Sequence, residues 1–125
     1  MSEDRRRYER VTYEGPAILR LKDQAPAEVE VENLSLKGVL LRGVPADLEV
    51  SSGDAGELEI QLSPEAEIRM SMEIVFCSNQ RLGANWFEID VEGMAHLRRL
   101  LALNLGDAEQ VDRELARMLH FDNDT

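Results

Sequence analysis

The chain has one cysteine, Cys77, among 125 residues. No internal disulfide can form, and no CxxC pair exists to hold a metal or cycle between redox states. The two histidines, His96 and His120, stand far apart in sequence. Aromatic residues are also few: three Phe, two Tyr and one Trp. A barrel that stacks single-stranded nucleic acid on flat rings needs more of them, together with a basic groove. Positive charge is scarce, with 14 Lys and Arg against 25 Asp and Glu and a net charge of -11. That balance argues against general nucleic-acid binding and against attraction to an acidic membrane surface. No apolar run approaches the ~20 residues of a membrane span, and the opening Met1 to Arg5 lacks the apolar core of a signal peptide. The expectation is a cytoplasmic protein with no membrane insertion. No Ser-His-Asp order, metal-ligand cluster or nucleophile elbow is present, so no catalytic residue and no metal ligand is expected.

What is present is a globular composition. A hydrophobic fraction of 43% beside 31% charged residues suits a soluble domain with its own core. From Val11 to Trp86 apolar residues recur with period two: Ala17, Leu19 and Leu21; Val29 and Val31; Leu58, Ile60 and Leu62; Met70, Met72, Ile74 and Phe76. With Gly38 to Gly43 and Leu82 to Ile89 these segments make about six strands. Turn-forming residues separate them, including Asp23 to Pro26, Ser51 to Gly56 and Ser78-Asn79-Gln80. Strands at this spacing without intervening helices predict a small antiparallel barrel. The period then changes. Gly93 to Asn104 places Met94, Leu97, Leu100, Leu101 and Leu105 at helical spacing, predicting a helix that closes the barrel mouth. Gly106 is its expected stop, and Asp107 the expected N-cap of a second helix running to about His120. The stripe Val111, Leu115, Met118, Leu119 on that helix serves either internal packing or a homodimer face. The expected division is 5–105 for the barrel with its closing helix and 106–121 for a C-terminal helical extension.

Basic charge is concentrated where the chain enters its first strand. Arg5-Arg6-Arg7-Tyr8-Glu9-Arg10 holds four of the 14 basic residues, all arginine. A guanidinium fork binds phosphate in bidentate fashion and stacks on flat rings, which lysine does poorly. The alternative for such a cluster is a solvated basic tail. A second polar stretch, Asn33-Leu34-Ser35-Leu36-Lys37-Gly38, lies between the second and third strands. Asparagine offers a donor and an acceptor together, and serine a hydroxyl that does either. Glycine permits a positive φ or a close approach of the backbone. Such a turn can read the edge of a nucleobase, or it can be an ordinary hairpin turn held by side-chain–backbone bonds.

Taken together, Arg6-x-x-x-Arg10 and Asn33-x-Ser35-x-x-Gly38 resemble the signature of the PilZ domain family, RxxxR followed farther along by (D/N)xSxxG. Gly83-Ala-Asn-Trp-Phe-Glu-Ile-Asp90 also resembles the family's last barrel strand, and the helix from Gly93 follows where the family places one. The resemblance covers residues 5 to 105. It implies a six-stranded antiparallel barrel that binds cyclic di-GMP as ligand, with no cofactor. It further implies that Arg6 and Arg10 grip phosphates and stack on guanine, while Asn33, Ser35 and Gly38 contact a guanine base and the adjoining backbone. Nothing in the motif departs from the family pattern. Arg5 adds a further guanidinium, and in relatives an arginine there accompanies binding of a stacked ligand dimer. Cyclic di-GMP is a compact dianion with two flat purines, and arginines answer both features. The expected mechanism is a receptor whose ligand orders the arm from Arg5 to Arg10 and so signals to a protein effector. The alternative is a PilZ-like interaction scaffold that binds no nucleotide. Cys77 is expected as a structural thiol, and Trp86 as a core, barrel-mouth or pocket-lining residue.

Overall fold

The computed structural model describes residues 10–105 and 108–123, apart from the side chains of 105, 108 and 118–123. Six strands follow in order: β1 (Val11–Leu21), β2 (Ala27–Leu34), β3 (Gly38–Arg42), β4 (Ala55–Ser63), β5 (Ala66–Ser78) and β6 (Arg81–Ile89). Two helices come last, α1 (Val91–Leu105) and α2 (Ala108–Asn123). Gly106 and Asp107, the expected stop and cap between them, lie outside the described residues.

The strands close into an antiparallel barrel in the order β1-β2-β3-β6-β5-β4. Closure leaves no free sheet edge, so every strand finds ladder partners on both sides. Period-two residues fill the interior: Leu19, Val31, Leu41, Leu58, Ile60, Ile68, Met72, Ile74 and Leu82 are all buried. Full burial of a side chain of this size contributes ~1.5–3 kcal/mol, so the interior supplies the main driving force for folding.

Two departures from simple alternation matter. Pairing of β5 with β6 shifts register between Ile74 and Phe76. A bulge of this kind inserts an extra residue and turns the next side chain to the other face. Phe76, expected inside with Met72 and Ile74, therefore points outward and is 44% exposed. There its ring lies against the position where a Cβ on Gly83 would stand. Glycine at 83 thus makes room for the outward ring. The second departure is the β5–β6 turn, where Asn79 and Gln80 both adopt left-handed backbone, with φ of 55° and 63°. The Gln80 carbonyl accepts a 3.0 Å bond from the Val44 amide, which holds the turn in place.

The strand registers fix which features share an end of the barrel. Val11 pairs with Leu34, Gly38 with Asn85, and Met70 with Ile89. The start of β1, the β2–β3 turn, the end of β6 and the start of α1 therefore gather at one rim. Asp90 caps α1, its carboxylate accepting a 2.6 Å bond from the Gly93 amide. α1 contacts both β5 and β1, which are not neighbours in the barrel, so it lies over the mouth with Leu97, Leu100 and Leu101 buried. α2 packs on α1 through Val111. Arg98 of α1 adds a bidentate pair with Asp112 of α2, at 2.6 and 3.0 Å.

Two outcomes follow from this geometry. Gln80→Gly relieves a left-handed side-chain residue and raises stability by about 1 kcal/mol, read as a higher urea midpoint at unchanged slope; an unchanged midpoint contradicts the turn assignment. Hydrogen bonding from Arg98 holds the Asp112 carboxyl below its usual pKa. Arg98→Met must let that pKa rise, measured by NMR titration of the Asp112 side chain. Because the carboxylate is favoured only when folded, its contribution is present above the ordinary Asp pKa and fades as pH falls through the depressed one.

Candidate functional site

The β2–β3 turn is built from beneath. Leu34 and Leu36 point into the barrel and are buried, so the polar residues between and after them are carried on two apolar anchors. Ser35 is itself only 3% exposed. Its amide donates to the Gly38 carbonyl at 2.9 Å, and its hydroxyl oxygen accepts from the Lys37 and Gly38 amides, each at 3.2 Å. This one hydroxyl satisfies two turn amides that a barrel rim would otherwise leave without partners. Serine at this position therefore shapes the turn, as the hairpin alternative required, and it does so from inside.

Gly38 is explained by space. A Cβ there would stand 2.7 Å from the Asn85 Oδ1 and 2.8 Å from the Ala84 carbonyl oxygen of β6. Of the two uses of glycine considered, close backbone approach is the one realised. Trp86, on the same strand, reaches the turn twice. Its backbone amide donates to the Lys37 carbonyl at 3.1 Å, and its indole N–H donates to the Leu36 carbonyl at 2.5 Å. The Lys37 ammonium lies 5.6 Å from the centre of the indole ring, within range of a cation–π contact.

The arm meets the turn at its first residue. Thr12 pairs with Asn33 across β1 and β2, and Arg10, two residues earlier, donates from Nε to the Asn33 Oδ1 at 2.7 Å. Arg10 is exposed as a residue, yet its head group is screened enough from water that burial draws its pKa down from the ordinary value. A guanidinium nevertheless stays charged at physiological pH. Its surroundings differ from those of the barrel arginines. Arg20, Arg42, Arg69, Arg81 and Arg98 all face carboxylates, whereas the partner described for Arg10 is a neutral amide. Among the described residues, the contact orients Arg10 through a neutral group that does not cancel its charge.

Of the residues singled out in the sequence, Arg10, Asn33, Ser35 and Gly38 thus come together at one rim. Arg5 and Arg6 lie outside the described residues. Sequence reasoning missed three neighbours, Lys37, Asn85 and the turn-facing role of Trp86. The signal for Trp86 was weak, since a lone tryptophan in a strand suits many places. Cys77, half-buried on β5, packs against the core, and among the described residues no three His, Cys, Asp or Glu side chains gather as a metal site. No described helix is long and apolar enough to cross a membrane.

Comparison with known proteins agrees with the geometry. The family model of the PilZ domain matches residues 4–103. Among solved structures, the Bacillus subtilis inhibitor of motility MotI/DgrA superposes with a TM-score of 0.61 at 16% identity, over 92% of this chain and 52% of that one. This chain therefore spans about half the length of that relative. The PilZ domain of CeSA from a cellulose-synthesizing bacterium gives 0.60 at 17% identity, over 78% of this chain and 96% of its own. The PilZ domain of YcgR from Escherichia coli, solved with c-di-GMP, gives 0.62 at 20% identity, over 90% of this chain and 98% of its own.

The tight approach at Gly38 makes a sharp prediction. Gly38→Ala destabilises the protein by about 1–3 kcal/mol, because the new methyl meets backbone as well as a side chain. Adding Asn85→Ala recovers only part of the loss, since the Ala84 carbonyl cannot withdraw. Full recovery in the double variant, measured by chemical denaturation, contradicts the close-approach account.

Proposed function

The chain belongs to the PilZ domain family, and from that premise we propose that it is a receptor for cyclic di-GMP rather than an enzyme. The observation that carries this reading is the Arg10–Asn33 hydrogen bond. It joins the end of the arginine arm to the first residue of the polar turn, across β1 and β2. One ligand can then touch both motifs at once. In this reading Arg6 and Arg10 take the phosphates and stack on a guanine. Asn33 presents its amide to a guanine edge, and Ser35 and Gly38 set the turn backbone so that the ligand approaches closely. Arg5 supplies a further cation, suited to a stacked pair of ligands. The family membership and the c-di-GMP bound in the similar YcgR domain support the ligand.

Residues 5–105 are then the ligand-binding unit and 106–121 an appended helical element. Bridging of arm and barrel orders the arm and makes a new surface for a protein effector. The barrel arginines, already paired with carboxylates, take no part. Long-range repulsion between the acidic protein and a dianion is screened within ~8 Å at physiological salt, so the local guanidinium groups dominate.

Calorimetric titration with cyclic di-GMP tests the reading. The parent binds, and an Arg6→Ala, Arg10→Ala double variant with unchanged circular dichroism binds at least 100-fold more weakly, since two charge-assisted contacts of ~1.5–3 kcal/mol each are removed. Hydrogen exchange of the arm must slow when ligand is added. Absence of binding by the parent sinks the receptor reading and leaves the interaction scaffold, with α2 as its contact surface.

A further inference from the structure

Trp86 is the only tryptophan of the chain, and its place is unusual for a core residue. It stands on β6, 50 positions beyond Leu36, yet it donates its one side-chain N–H to that residue's carbonyl. Its own amide takes the carbonyl of the next residue, Lys37, and its ring lies under the Lys37 ammonium. Trp86 as a residue is 9% exposed and Leu36 is fully buried, so this bond is made away from bulk water. The two carbonyls follow directly on Ser35, whose hydroxyl holds the Lys37 and Gly38 amides. The turn is thus gripped on both kinds of backbone group: its amides by Ser35 from within the turn, its carbonyls by Trp86 from the neighbouring strand β6. Neither grip uses Asn33 or Arg10, which bond to each other.

We infer that Trp86 is a positioning residue for the ligand-binding turn. It does not touch the ligand. It fixes the peptide planes after Leu36 and Lys37, and thereby the face that Asn33 and Gly38 present. This inference rests on the receptor reading for its link to ligand affinity, but the clamp itself does not. A barrel needs an apolar side chain at position 86 to fill its mouth; it does not need one with an N–H. The hydrogen-bonding part of tryptophan is therefore the part assigned to function.

The test separates shape from donor. Tryptophan 86 is replaced with 3-benzothienylalanine, which keeps the bicyclic shape and puts sulfur where the N–H was; Trp86→Phe is made in parallel. Amide exchange and cyclic di-GMP affinity are measured on the full chain. With the isostere, exchange of the Lys37 and Gly38 amides accelerates, exchange within β4 and β5 and the melting profile stay as in the parent, and affinity falls about tenfold, the value of one buried hydrogen bond. Trp86→Phe shows the same exchange pattern with a larger loss of stability. Unchanged exchange at Lys37 and Gly38 in the isostere overturns the clamp, whatever the ligand does. Faster exchange with parental affinity overturns the positioning role. Should the parent itself fail to bind cyclic di-GMP, the receptor reading falls, and the clamp is judged on the exchange data alone.

Discussion

Ser35 hides its hydroxyl and, in doing so, gives the β2–β3 rim its shape. Two strands of a small barrel must be joined at the mouth, where the connecting amides can bond neither to a ladder nor freely to water. The hydroxyl at 3.2 Å from both the Lys37 and Gly38 amides answers that constraint. Leu34 and Leu36 can then point inward, Gly38 can lie against the Ala84 carbonyl, and β3 can begin its pairing with β6. Asn33 is left at the end of β2, opposite Thr12, where Arg10 reaches it. Removing a buried acceptor that serves two donors costs the desolvation of both, so the whole rim depends on this one side chain.

Charge follows the same division between scaffold and site. On the barrel wall, arginines pair with carboxylates across strands, as Arg42 does with Glu30 and Arg81 with Glu32. These pairs are half-exposed and contribute little to stability, but they commit the wall's guanidinium groups. Among the described residues, Arg10 is oriented by a neutral amide instead. An acidic protein can thus present positive charge at one place without spreading it over a basic face. The same rim carries the start of α1, which contacts β1 and holds α2 through the Arg98–Asp112 pair.

Much of this was legible in the sequence, for definable reasons. Period-two spacing marked the six strands because a closed barrel buries one face of every strand, and Val29, Val31, Leu58 and Ile60 obey it. The two motifs were visible because they are local in sequence. Phe76 was misplaced because a bulge is invisible to a count of alternation; only the glycine at 83, leaving room for a ring, hints at it. The role of Ser35 was open because the same hydroxyl serves a ligand or a turn; its burial and its bonds to the Lys37 and Gly38 amides show the turn role. Trp86 was unreadable as a clamp because its bond spans 50 positions, a relation set by the pairing of β3 with β6 and by no local pattern.

The proposed function requires that one rim, formed by Arg10, Asn33 and the turn to Gly38, receive cyclic di-GMP. It is tested most directly by two-dimensional NMR of the labelled protein during titration with that nucleotide. The largest shifts are expected on the Arg10 side-chain Nε–H, the Asn33 side-chain amide and the Gly38 backbone amide, with a smaller shift on the Trp86 indole N–H and the far hairpin around Asn79 and Gln80 unmoved. Shifts centred on the outer face of β1 and β2 around Pro16 and Glu28, or no shifts at saturating nucleotide, would contradict it.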